Sequence, residues 1–192
     1  MSKLYFKYGA MNSGKTTILL QTAHNYEERG MKIVLLKPSI DTKGENKIVS
    51  RLGVERKVDY LINENDSIYN IIDGLNDISC ILVDEAQFLT VEQVDELLKV
   101  VIEKDIPVIC YGLRTDFKTK AFPASIRLFE LAQKLEELKT ICECGSKATF
   151  NARFINDEIV IDGDQVVIDN NQEVEYRSMC PKCYYKRLKK NY

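Results

Sequence analysis

The sequence predicts an α/β fold, a parallel sheet flanked by helices and followed by a small lobe of short strands built around cysteines. Three observations carry this. Up to about residue 139, short apolar runs alternate with helical stretches, the order that builds a parallel sheet covered by helices. A glycine-rich turn joins the first apolar run to a helix. From residue 140 onward the alternation stops and cysteine pairs take over. The expected division is therefore 1–139 and 140–192. A chain of 192 residues, 45% of them apolar, closes one sizeable core and a small appendage rather than two full domains.

Strands are expected at LYFKY (4–8), IVLLK (33–37), ILVD (81–84) and VICYG (108–112). Between the last two, Val94, Leu97, Leu98, Val101 and Ile102 recur at the spacing of an amphipathic helix. Thr90 and Gln93 suit its capping box. A further helix is expected after Pro123, with Leu128, Leu131, Ala132 and Leu135 as its apolar stripe. Two polar, lysine-rich connections, 38–53 and 113–125, interrupt this order, and long loops in a compact domain are often functional. There is no internal repeat.

The turn after the first strand reads Gly9-Ala10-Met11-Asn12-Ser13-Gly14-Lys15-Thr16. Glycines at both ends of a four-residue spacer, then Lys-Thr at a helix start, form a P-loop: backbone N–H groups wrap around phosphates and the helix N-terminus faces negative charge. Lys15 supplies a mobile cation near the β- and γ-phosphates, and the Thr16 hydroxyl is a Mg²⁺ ligand. The competing reading is an ordinary strand–turn–helix.

Downstream, Cys80-Ile-Leu-Val-Asp84-Glu85 is an apolar strand ending in two carboxylates. In a P-loop fold this strand is expected beside the first, with its C-terminal end facing the same phosphates. Asp84 is then placed for Mg²⁺, and Glu85 for taking a proton from an attacking hydroxyl or orienting a water. An isolated acidic pair at a strand end is more often a solvated turn; the upstream cradle reverses that preference. The single histidine, His24, falls on the helix after the cradle. A histidine base is thus disfavoured.

A net charge of −2 offers no broad basic surface for a nucleic-acid backbone. No run approaches the roughly 20 apolar residues that span a bilayer, and the opening MSKLYFKYG lacks the apolar region of a signal peptide. A cytoplasmic protein with neither nucleic-acid nor membrane partners is expected. In a reducing compartment the six cysteines are metal ligands or small core residues. Cys80 and Cys110 sit within apolar runs and read as core. Cys142-x-Cys144 and Cys180-x2-Cys183 resemble the two knuckles of a Cys₄ zinc ribbon, the first pair one residue tighter than usual. Free thiols or a redox pair are the alternatives. A closed Cys₄ site clamps a fold and leaves no open position for catalysis.

Taken in order, GAMNSGKT, IDTK, DEAQF, YGLRTDFKTKAF and the cysteine pairs flanking ATFNARF and EYRSMC resemble the type II thymidine kinases of bacteria, animals and poxviruses, over nearly the full length. The resemblance implies a RecA-like P-loop NTPase sheet with a zinc-binding lobe bearing a nucleoside-covering loop. It implies ATP as phosphoryl donor, Mg²⁺, structural Zn²⁺, and thymidine as acceptor. Residues 9 to 16, with Asp84 and Gln87, would serve ATP and Mg²⁺, and Glu85 would be the base for the 5′-hydroxyl. Asp41, Thr42 and Lys43 occupy the family's Asp-Thr-Arg motif on the phosphate side, with Lys in place of Arg. Met11, Phe88, Leu113, Phe117 and Phe122 would wall the thymine. Val167, Ile168, Asp169, Asn170 and Tyr176 would cover it, Asp169-Asn170 standing where the family has Gly-Gly. Arg114 stands where the family usually has an acid. A homotetramer and feedback inhibition by thymidine triphosphate are implied as well. Two alternatives stay open: an ATP-driven nucleic-acid remodeller, and a kinase of the same fold for another deoxynucleoside such as deoxyuridine.

Overall fold

The computed structural model describes residues 1–41, 46–50, 53–163 and 174–189. The first half runs β1 (Leu4–Gly9), α1 (Lys15–Glu27), β2 (Lys32–Pro38), β3 (Lys47–Val49), β4 (Glu55–Lys57), β5 (Tyr60–Ile62), α2 (Ile68–Asp73) and β6 (Ile78–Val83). A 3-10 turn at Ala86–Phe88 leads to α3 (Val91–Lys104), β7 (Val108–Leu113), α4 (Pro123–Leu131) and β8 (Lys134–Glu137). The remainder is β9 (Thr140–Ile141), β10 (Lys147–Ala148), β11 (Phe150–Ile155), β12 (Glu158–Val160), β13 (Val174–Met179) and α5 (Pro181–Leu188).

The central sheet has six strands in the order β5-β2-β6-β7-β1-β8, every neighbouring pair parallel. Both faces are covered, which is why its strands read as continuous apolar runs. Successive residues of β6 divide between the two sides: Ile81 and Val83 join the core under α2, α3 and α4, while Cys80 and Leu82 join the core under α1. Cys80 and Cys110 are fully buried, and burial pushes both thiols up, Cys80 to about 11. They behave as small hydrophobes.

Four expectations are revised. β6 does not lie beside β1; β7 stands between them. Strand spacing is only about 4.8 Å, so the two C-terminal ends still open into one crevice. The helix after Pro123 stops at Leu131, where Ala132 turns extended and Gln133 exchanges hydrogen bonds with Leu4. Leu135 therefore lies on the edge strand β8, half exposed, and not on a helix. In α3 the buried stripe is Val94, Leu97, Val100 and Val101, whereas Ile102 is turned outward and is 60% exposed, being one residue, about 100°, past the stripe. The connection 38–53 holds β3, which pairs with β4 as an antiparallel hairpin. Thr90 and Gln93 do form the capping box of α3.

Beyond β8, a three-stranded antiparallel sheet in the order β12-β11-β13 packs with α5 around Ala152, Phe154, Ile159, Met179 and Tyr184. Ala152 and Phe154 point into this small core, so the alternate residues of β11, Asn151 and Arg153, face the other way, toward the crevice at the end of the central sheet. No helix among the described residues is long and apolar enough to cross a membrane.

Candidate active site

Parallel strands bind ligands outside their carboxyl ends, and there the chain places Gly9 of β1, the Asp84–Glu85 pair after β6, and Leu113 of β7. The turn from β1 to α1 closes tightly: a Cβ on Gly9 would stand 2.5 Å from both the Leu138 carbonyl and the Ser13 hydroxyl. Gly14, in the left-handed region at φ 77°, caps α1 without a side chain. The first turn of α1 carries no acid, leaving its positive end to an anion. Lys15 is 8% exposed and its ammonium donates to the Ala10 carbonyl at 2.9 Å. Ala10 is buried, Asn12 is exposed at φ 64°, and Thr16 lies in the first turn of the helix. The residues present fit a polyphosphate.

Asp84 is 5% exposed. Burial, and after it the charge of Glu85, pushes its carboxyl up to about 7; Asp41 adds to the rise, while the Glu85 backbone N–H and Lys37 oppose it. Lys37, at the end of β2 and 1% exposed, pairs with the Asp41 carboxylate at 3.1 Å. Asp84 thus sits among one buried cation and two further carboxylates. Such an excess of negative charge in a dry site suits a divalent cation.

Glu85 is half-buried and holds φ 47°, ψ 40°, a left-handed conformation that costs a non-glycine residue about 1 kcal/mol or more. Its carboxylate accepts from Gln87 Nε2 at 2.6 Å, and Gln87 Oε1 accepts from the Leu113 N–H at 3.0 Å. Leu113 is in register with Gly9 across the β7–β1 pair. The 85 carboxylate therefore shares the sheet end that carries the phosphate turn, joined to it through Gln87 and Leu113.

The segment after Leu113 folds back on itself. Thr115 bridges to Ala121, and the buried Asp116 carboxylate accepts from the Lys118 and Lys120 N–H groups. This puts Phe117 and Phe122, 2% and 4% exposed, beneath it. Phe122 meets Phe88 edge to face at 5.6 Å. From β11, the Arg153 guanidinium stacks 3.5 Å over the Phe117 ring, and its Nε donates to the Tyr176 hydroxyl at 3.1 Å. Phe117 and Phe122 are thus closed over by their neighbours, and Phe88 is the half-buried ring of the three.

A thymidine kinase family model matches residues 2–184 of this chain. The chain belongs to the thymidine kinase family. It is 47% identical over 193 aligned positions to the thymidine kinase of Legionella pneumophila (strain Lens), covering 97% of this chain and 90% of that protein. With the thymidine kinase of Rhodopirellula baltica it shares 46% over 185 positions, covering 94% and 86%. With that of Francisella tularensis subsp. holarctica it shares 42% over 190 positions, covering 95% and 96%.

In this thymidine kinase family chain, the sulfurs of Cys142, Cys144, Cys180 and Cys183 all lie within 4.8 Å of one another. Four thiolates around zinc at about 2.3 Å stand about 3.8 Å apart, and Cys144 and Cys180 are already at 3.6 Å. The tight first pair is no obstacle, because Gly145 turns the chain at φ 83° and lets Ser146 bond back to Cys142. Hydrogen bonds from Ser146 push the Cys144 thiol down to about 6, whereas bonding to Cys144 raises Cys183 to about 12. The cluster fits a zinc ion.

Thr42, Lys43, Val167, Ile168, Asp169 and Asn170 lie outside the described residues. Of the described residues that flank the last four, Gly163 is placed so that a Cβ on it would stand 3.2 Å from Arg153 Nη1, and Val174 begins the strand that carries Tyr176. His24 is exposed on α1 and takes no part. Sequence reasoning missed Lys37, Asn151, Arg153 and Ser178. A signal existed for two of them: Asn151 and Arg153 alternate with Ala152 and Phe154, polar residues at strand period in a strand buried on both faces.

Proposed function

We propose that this enzyme transfers the γ-phosphoryl group of ATP to the 5′-hydroxyl of thymidine, giving thymidine monophosphate and ADP. The observation that carries this reading is the Glu85–Gln87–Leu113 chain, which brings a carboxylate to the junction of the phosphate turn and the aromatic wall. The ATP phosphates lie in the turn from Gly9 to Thr16, against Lys15 and the start of α1. Asp41, with Thr42 and Lys43, borders them, and Gln87 lies beneath. Met11, Phe88, Leu113, Phe117 and Phe122 wall the thymine, and residues 167–170 and Tyr176 cover it.

Glu85 accepts the proton of the 5′-hydroxyl as that oxygen bonds to the γ-phosphorus. The bond from that phosphorus to the bridging oxygen breaks, and ADP leaves with its electron pair. Lys15 offsets charge on the transferred group, and most of the acceleration is positioning and electrostatics. Thr16 and Asp84 would hold Mg²⁺, which supplies charge neutralisation between the terminal phosphates. The four cysteines would hold zinc as a clamp that fixes both ends of the covering segment. The same reading makes the enzyme a cytoplasmic homotetramer, checked by light scattering and cell fractionation.

The test is to offer ATP and Mg²⁺ with a panel of nucleosides and identify the monophosphates by mass. Thymidine monophosphate is the expected product. A preference for deoxyuridine or another nucleoside overturns the substrate assignment, and ATP turnover driven by single-stranded DNA instead overturns the kinase reading.

A further inference from the structure

The backbone of Met11, in the middle of the phosphate turn, is held from both sides by residues of the C-terminal lobe. Its N–H donates to Asn151 Oδ1 at 2.8 Å, and its carbonyl accepts from the Ser178 hydroxyl at 2.6 Å. Asn151 has a second attachment: its Nδ2 donates at 2.8 Å to the carbonyl of Thr115, in the segment that carries Phe117 and Phe122. Asn151 is 2% exposed. Its amide orientation is forced, since one partner only donates and the other only accepts. One buried side chain therefore ties the turn that faces phosphates to the segment that faces the base.

We propose that Asn151 is a positioning residue that couples the two substrate sites, so that filling either one raises the affinity of the other. The inference rests on the functional reading above. A ligand that holds either loop still also holds Asn151, which bonds both loops. Where a shared carboxamide is already held by one ordered loop, the second ligand orders less. Among the described residues Ser178 bonds Met11 and makes no hydrogen bond to Thr115, so it steadies the turn but carries no message between the sites.

The carboxamide is needed for both bonds. An aspartate accepts from the Met11 N–H but sets a carboxylate oxygen against the Thr115 carbonyl, cutting the bridge on one side without opening a cavity. The experiment measures thymidine affinity by calorimetry, with and without a non-hydrolysable ATP analogue and Mg²⁺, in wild type, Asn151→Asp, Asn151→Ala and Ser178→Ala. Melting temperature and zinc content serve as folding controls. By linkage the ratio of the two affinities is the coupling, expected at about fivefold or more in wild type. It should fall to near one in both Asn151 variants and persist in Ser178→Ala.

A folded Asn151 variant that keeps the wild-type ratio overturns the proposal. Equal loss in Ser178→Ala also overturns it, because general loosening of the turn would then suffice. Wild type with thymidine affinity but no coupling overturns it too. A wild type that binds no thymidine overturns the functional reading, and this inference with it.

Discussion

The carboxamide of Gln87 stands between the Glu85 carboxylate, to which its Nε2 donates at 2.6 Å, and the Leu113 N–H, from which its Oε1 accepts at 3.0 Å. Gln87 is 2% exposed. It holds Glu85 from below, against a backbone that is itself pinned in the left-handed region. In the base role proposed for Glu85, an acid with so little freedom would be oriented before substrate arrives, lowering the entropy lost on reaching the transition state.

Replacing Glu85 by Gln keeps an oxygen for Gln87 to donate to and removes the basic site. The melting temperature should stay within a few degrees and ATP affinity should be retained. Single-turnover transfer should slow by about 10²–10⁴-fold, the usual worth of a positioned base. Stopped-flow quench measures the rate, and turnover near wild type removes Glu85 from the base role.

The Asp84 carboxyl, pushed up to about 7 mainly by burial, makes stability fall with rising pH. Its folded pKa stands above the unfolded value near 3.8, so the folded state binds the proton more tightly between those two values. Its contribution is full below the unfolded pKa and is lost as the pH climbs to about 7. Denaturant titrations of metal-free protein across this range should show the decline in wild type and a flatter profile in Asp84→Asn. Mg²⁺ needs the ionised carboxylate, so the thermal shift produced by Mg²⁺ with ATP should be larger at pH 8 than at pH 6. Equal shifts at both would exclude Asp84 from the metal's charge balance.

Arg153→Lys removes the planar group that lies 3.5 Å over Phe117 and bonds Tyr176. An ammonium neither stacks nor forks in that way. Unfolding free energy should drop by about 1–3 kcal/mol, and thymidine affinity should fall more than ATP affinity. Urea titration and calorimetry read the two effects. Unchanged thymidine binding would confine Arg153 to holding Phe117 and Tyr176 in place.

Chelating the cysteine cluster should weaken both substrates, thymidine more. On the proposed reading the base is covered from the lobe itself, between Gly163 and Val174, while the phosphate turn meets the lobe through the Met11 backbone and the Asn12 carbonyl, which accepts from the Thr140 hydroxyl. Zinc release followed by a chromophoric chelator, alongside both affinities, measures this. A metal-depleted protein with wild-type thymidine affinity refutes the link.

Much of this chain was legible from the order of its residues, because local rules act over short spans. The glycine spacing that makes the phosphate turn, the capping box at Thr90 and Gln93, the apolar strands and the acidic pair after Val83 each follow from neighbours within one turn or strand. So does the pairing of cysteines two by two, though not their convergence. What the order of residues left open depended on packing across long separations. Which strand lies between β1 and β6 is one such case; the end of α4 at Leu131 and the edge position of Leu135 go with the bonds between Gln133 and Leu4 of β1. The same holds for Asn151 reaching Met11 across 140 residues and for Arg153 closing over Phe117. A buried polar side chain must find a partner wherever the fold brings one, and only the closed tertiary structure decides which partner that is.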